Sequence, residues 1–138
     1  MPVATGLRIL ASAMSAQRTR LHLTASNLAN ANTTRTAEGG PYKRKDPVFL
    51  ADPVNDMDPE SGLDSVRVDE ILTDETKGPI KYDPDHPDAD ADGNVQMPNV
   101  SVVEETVNMV TASRSFEANV QAFQTLREMA SKSLEIGR

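Results

Sequence analysis

Cysteine and tryptophan are absent from this chain, and its aromatic residues are three Phe and two Tyr in 138. Without thiols there can be no disulfide, no thiolate metal centre and no cysteine nucleophile. A cysteine-free chain tolerates reducing and oxidising surroundings alike, so the compartment is left open. Hydrophobic residues make up 38% of the sequence, below the ~45–50% usual for globular domains, so a thick, self-sufficient core is hard to build. No apolar run approaches the ~20 residues of a membrane span. The N-terminal segment does not read as a cleaved secretory signal, because Arg8, Gln17, Arg18, Arg20 and His22 interrupt its apolar residues.

Charge is also missing by sign. Residues 1–37 carry Arg8, Arg18, Arg20 and Arg35 and no acid, whereas residues 46–98 carry fifteen Asp or Glu against Arg67, Lys77 and Lys81, within an overall net charge of −7. The basic residues are too few and too dispersed for a nucleic-acid surface. The asymmetry fits either an ordinary solvated acidic surface or a basic helix docking on acidic surfaces of neighbouring subunits.

What is present is two apolar stripes, one at each end. Val3, Leu7, Leu10, Met14, Leu21 and Leu28 recur at steps of four and three. Val102, Met109, Phe116, Val120, Phe123, Ala130 and Leu134 do the same. This is the period of a helix seam. The first stripe predicts a helix over 5–31 with Thr5 as N-cap. Gln17 and Thr24 fall on its seam, and Ala11, Ala13, Ala16, Ala25 and Ser26 allow close helix approach. Asn27, Asn30 and Asn32 then favour local side-chain bonds over further helix. The second stripe predicts a helix over 99–136, opened by the capping box Ser101-Val102-Val103-Glu104, with Asn99 as alternative cap, and stopped at Gly137. Thr106, Ser113 and Arg127 weaken its seam.

Between the stripes lie eight of the nine prolines, which forbid a long helix. Short strands are expected at Tyr42–Leu50, Ser65–Leu72 and Ile80–Tyr82, with a turn over 73–79 and an exposed loop over 51–62. The expected fold is mainly α with a small β element. Long N- and C-terminal helices pair as a coiled-coil-like bundle, with a Pro/Asp-rich loop and short strands between them. The organisation is a helix over 1–33, a middle element over 34–98 and a helix over 99–138, the two helices forming one discontinuous domain.

Chemistry-bearing patterns are few. Asp88-Ala89-Asp90-Ala91-Asp92-Gly93 matches the first half of a calcium loop, but the twelfth position is Asn99 instead of a bidentate Glu. It reads better as an acidic turn leading into the second helix. His86, between Asp-Pro and His-Pro pairs, lies in a wet extended loop and reads as structural; His22 reads as an interface residue. No nucleophile-base spacing, phosphate-binding glycine loop or dinucleotide fingerprint occurs. Arg114 and Glu117, three apart, could pair on the surface or set subunit register. No enzyme, metal or cofactor is expected.

Four segments carry a resemblance: Ser26-Asn27-Leu28-Ala29-Asn30-Ala31-Asn32-Thr33, Gly40-Pro41-Tyr42-Lys43-Arg44-Lys45, Tyr82 through Val100, and Arg114-Ser115-Phe116-Glu117-Ala118-Asn119-Val120. Together, and in this order, they resemble the bacterial flagellar axial proteins, most closely the proximal rod proteins of the C type. Asn94 stands where that family suggests an aromatic, and Thr106 where it suggests Met. The resemblance implies a subunit of a hollow, torque-transmitting rod in the basal body, spanning the periplasm and exported without a cleaved signal. Its implied partners are copies of itself, other rod proteins, the hook-basal-body adaptor and membrane-ring proteins, and the flagellar type III export apparatus. The assembly interface would comprise Leu7, Leu10, Met14, Leu21, Asn27, Leu28 and Asn30 on the first helix. On the second it would comprise Val102, Met109, Arg114, Phe116, Glu117, Asn119, Val120, Phe123 and Leu134. The competing expectation is a coiled-coil adaptor or export chaperone that binds helical partners without polymerising.

Overall fold

The computed structural model describes residues 2–54 and 63–136. Two helices dominate it: α1, Pro2–Ala29, and α2, Val102–Ile136. At 28 and 35 residues they span about 42 and 52 Å. They run antiparallel, since Gly6 of α1 lies against Leu126 of α2 while Asn27 bonds Glu105. Four strands lie between them in sequence: β1 Lys45–Pro53, β2 Asp64–Thr73, β3 Ile80–Tyr82 and β4 Asn94–Gln96.

Helix α1 starts earlier than its hydroxyl signal suggested. Pro2 opens it, and a proline in the first turn loses no helical bond and arrives with φ already set. Thr5 is therefore inside the helix and not its cap. The end follows from Asn30. Its amide donates to the Ser26 carbonyl at 2.9 Å and its Oδ1 accepts from Thr33 Oγ1 at 3.1 Å, drawing the backbone out of the helical course. At the start of α2, Ser101 Oγ accepts from the Glu104 amide at 3.4 Å, half of the expected capping box. Asn99 is occupied elsewhere.

The strands form two separate antiparallel pairs, β1–β2 and β3–β4. The first is a hairpin with a bulge between Val48 and Phe49. It lies along α1, where the Val66 amide donates to Ser12 Oγ at 3.0 Å. Strand β1 continues to Pro53, so the loop expected from residue 51 starts later; residues 55–62 of that loop lie outside the described residues. Strand β4 has no alternation to betray it, being Asn-Val-Gln. It pairs with β3, and Val95 is fully buried. The acidic turn consequently joins β3 to β4 instead of leading into α2. Asp90 Oδ1 there accepts from the Asp92 and Asn94 amides at 3.0 and 2.8 Å, and Gly93 takes φ 77°. Gly78 is needed for a different reason: a Cβ there would fall on the carbonyl oxygens of Met97 and Pro98.

The interior is thin. Among the described residues the buried hydrophobic ones are Ala16, Ala31, Tyr42, Val95 and Ala112, three of them alanine. The accessible surface is 9714 Å² for 15.0 kDa, where a compact monomer of that mass exposes about 7,000 Å². No helix among the described residues is long and apolar enough to cross a membrane.

Candidate functional site

The helix seam is narrower and more polar than its leucines suggest. On α1 the deepest residues are Ala16, Thr24 and Asn27; on α2 they are Glu105 and Ala112. Leu7, Leu10, Met14, Leu21, Leu28 and Asn30 are half-buried, as are Met109, Phe116, Asn119, Val120 and Phe123. Val102, Arg114, Glu117 and Leu134 are exposed and stand off the seam within the chain. The α2 stripe is thus displaced at its start: Glu105 takes the inward place, and Thr106 points out and bonds the Val102 carbonyl at 2.7 Å. A helix of 3.6 residues per turn drifts against a strict seven-residue count. The bonding partners of Glu105 fix which residue turns inward.

Those partners form one joint. Asn27, 1% exposed, uses every hydrogen-bonding position of its amide. Nδ2 donates to the Lys45 carbonyl at 2.8 Å and to Glu105 Oε2 at 3.0 Å. Oδ1 accepts from Tyr42 OH at 2.9 Å and from the Lys45 amide at 3.0 Å. Glu105, also 1% exposed, accepts from Arg44 Nε at 2.8 Å and from Asn108 Nδ2 at 3.4 Å. The Arg44 amide donates to Asn99 Oδ1 at 2.8 Å, Asn99 Nδ2 donates to the Asp74 carbonyl at 3.0 Å, and the Asp74 amide returns a 2.8 Å bond to the Arg44 carbonyl. The end of α1, the start of β1, the loop after β2 and the first turn of α2 are thereby tied at one point. A buried charge is tolerable there because it is paired and bonded on every side.

The electrostatics agree. Burial works against the Arg44 charge, but the hydrogen bond that its guanidinium donates to Glu105 and the charges of Asp46 and Glu105 outweigh it and hold the guanidinium above its ordinary value. Asp74 is held below the usual carboxylate value by side-chain and backbone hydrogen bonds from Thr76, helped by Arg44. The Thr76 amide reaches Asp74 Oδ1 at 2.9 Å.

Of the expected interface residues, Asn27 enters this joint, Asn30 ends the helix beside it, and the rest lie along the two helices; Asn99, expected as an alternative cap, also enters the joint. The grouping of Glu105, Tyr42, Arg44 and Asp74 has no counterpart in the sequence pattern. The one available signal was Glu105 itself, a carboxylate three residues after Val102 and four before Met109. Arg114 and Glu117 do not pair; Glu117 accepts from Ser113 Oγ at 3.4 Å. His86 Nδ1 accepts from the Asp88 amide at 3.1 Å, and Asp88 bonds Thr34 and Arg35 at 2.8 and 3.4 Å. No group of three His, Cys, Asp or Glu among the described residues is placed to hold a metal ion. The arrangement offers a mechanical joint and long half-covered helix faces.

Comparison with known proteins places the chain in a family. The family described as flagella basal body rod protein matches residues 7–35, and the C-terminal family of flagellar basal body rod FlgEFG proteins matches residues 91–136. The flagellar basal-body rod protein FlgC of Salmonella typhimurium is 40% identical over 130 residues, 94% of each chain. The chain belongs to the flagellar basal-body rod proteins of the FlgC type. Other relatives of that description agree: the Bacillus subtilis protein is 40% identical over 144 residues, covering 96% of each chain. The Borreliella burgdorferi protein is 36% identical over 151 residues, covering 99% of this chain and 98% of its own. The two family matches coincide with most of α1 and with the segment from the acidic turn to the end of α2. In this rod protein they are the parts joined through Asn27 and Glu105.

Proposed function

We propose that this chain is a structural subunit of the basal-body rod, built into a hollow, torque-carrying tube through its two terminal helices. The observation that carries the reading is the incomplete seam. The long helices are joined by small and polar residues, their larger aliphatic side chains stay half-exposed, and about 2,700 Å² more surface is left open than a compact monomer of this mass would leave. Helices of this length need packing along most of their faces to be stable. Neighbours in a polymer supply it: other copies of the chain, other rod proteins, and adaptor and membrane-ring proteins where the rod ends. The polar joint holds the hairpin and both helices as one piece, as torque transmission demands. Delivery unfolded through the flagellar type III apparatus suits a chain that buries so little by itself.

Amide exchange tests the reading. In isolated protein the outer turns of α1 and α2 should exchange fast, and in purified basal bodies they should be protected. Equal protection in both states would sink it. Recovery of the chain only in the soluble cytoplasmic fraction would favour an adaptor or export chaperone.

A further inference from the structure

The faces that α1 and α2 turn away from each other carry charges of opposite sign at matching intervals. On α1 the exposed line runs Arg8, Ala11, Ser15, Arg18, in a segment without any acid. On α2 it runs Glu117, Gln121, Gln124, Glu128. Arg8, Arg18 and Glu128 make no ion pair among the described residues, and Glu117 has only the 3.4 Å bond from Ser113 Oγ. The arginines are ten residues apart and the glutamates eleven, about 15 and 16.5 Å along their helices. The residues between them are small on α1 and long and polar on α2.

We propose that copies of the chain stand side by side in the rod through these two lines, Arg8 of one copy opposite Glu128 of the next and Arg18 opposite Glu117. This deepens the rod-subunit reading and rests on it. Copies that share one direction along a tube set α1 of one antiparallel to α2 of the next, because the two helices are antiparallel within a copy. In this register Ala11 faces Gln124 and Ser15 faces Gln121. Further along, His22 meets Arg114, the one unmatched position, and Ala25 and Ala29 face Val110 and Val107; Val103 lies beyond the end of α1. Sliding one helix by a heptad restores the same faces, but Arg18 then meets Val110 or Gln124 and at most one arginine keeps a carboxylate. Within a copy Gly6 lies against Leu126 and Asn27 against Glu105. The proposed register is about half a heptad from that one, an offset between copies of only about 5 Å along the helices. Exposed ion pairs add little affinity and chiefly fix register and partner. The two faces differ, so the contact is heterologous: each copy offers both halves and the chain of contacts does not close on a pair.

The absence of cysteine makes the test clean. Ser15→Cys and Gln121→Cys, both at exposed positions, are introduced singly and together in motile cells. Basal bodies are purified and treated with a short bis-maleimide. Co-expressed single variants should cross-link to a dimer, the double variant should give a ladder, and each single variant alone should stay monomeric. Val110→Cys in place of Gln121→Cys should give no product, being about 16 Å further along α2. Arg18→Glu should lower the cross-linked fraction, or the amount of chain in the basal bodies, at least about fivefold, with Glu117→Arg in the same chain restoring it. Dimers from either single variant alone, monomers only in basal bodies that contain the chain, a ladder through Val110→Cys, a product of another mass, or no restoration by Glu117→Arg would each overturn the proposal while leaving the rod-subunit reading standing. Absence of the parent chain from basal bodies would overturn both.

Discussion

Asn27 should be the residue that isolated protein tolerates losing least. Asn27→Ala removes four hydrogen bonds at once. Tyr42 OH keeps a 3.3 Å contact with Ser26, and Glu105 keeps Arg44. The Lys45 amide and carbonyl and one Glu105 oxygen lose their partner. Each buried orphan costs about 1–3 kcal/mol, and partial access of water to Lys45 discounts the sum to roughly 3 kcal/mol. Against a total stability on the order of 5–15 kcal/mol that is a large loss, readable as a lower urea midpoint in helical ellipticity. Asn27→Asp sharpens the test because its shape is unchanged. An acceptor now faces the Lys45 carbonyl and the Glu105 carboxylate where Nδ2 had donated at 2.8 and 3.0 Å. At neutral pH it should cost at least as much as Asn27→Ala. Burial and the Glu105 charge raise the folded-state pKa of the introduced carboxyl above the ~3.9 of an unfolded Asp. Its penalty is therefore complete above that raised value and fades as pH falls through it towards the unfolded value. Midpoints within about 0.5 kcal/mol of the parent, or an Asn27→Asp deficit that grows on acidification, would refute the account of the joint.

Two further outcomes follow from groups around the helices. Asp74 should titrate below the usual carboxylate range by NMR, so its contribution holds above the unfolded value and is lost as pH falls through the depressed one. Thr76→Ala removes the largest cause and should move that midpoint part of the way back; an unmoved midpoint contradicts the assignment. Gln17 keeps Oε1 buried without a hydrogen-bond partner among the described residues, so Gln17→Met, similar in volume and unbranched, should stabilise the isolated chain by about 1 kcal/mol, seen as a rise in Tm of roughly 3–5 °C. A fall in Tm would show that the amide has a role the orphaned oxygen conceals.

Periodicity made the architecture legible in the sequence, and bonding geometry hid its centre. Two stripes of alternating threes and fours are long enough to locate α1 and α2, and eight prolines confine strands to the middle. Strand β4 and the first turn of α1 were not legible: three residues hold no pattern, and a proline at a helix start looks the same as one before it. The leucines mark the seam in the sequence, because apolar recurrence is a signal along one chain. The joint is a convergence of Asn27, Tyr42, Arg44, Asp74, Asn99 and Glu105, which are scattered over some eighty residues and share no period. Only Glu105 broke a pattern, as a carboxylate on an apolar stripe.

That difference bears on how the subunit works. A seam of half-exposed leucines and valines is adaptable and open to neighbours. A joint in which each buried polar atom of Asn27 is matched has a single geometry, because any displacement orphans several groups together. On the proposed function the chain separates two requirements. Fixed relative placement of helices and hairpin comes from the polar joint at the C-terminal end of α1, and attachment to neighbours would come from the apolar faces beyond it. Changes to the exposed valines should therefore abolish assembly while sparing the fold, and changes to Asn27 should damage the fold first and assembly only as a consequence.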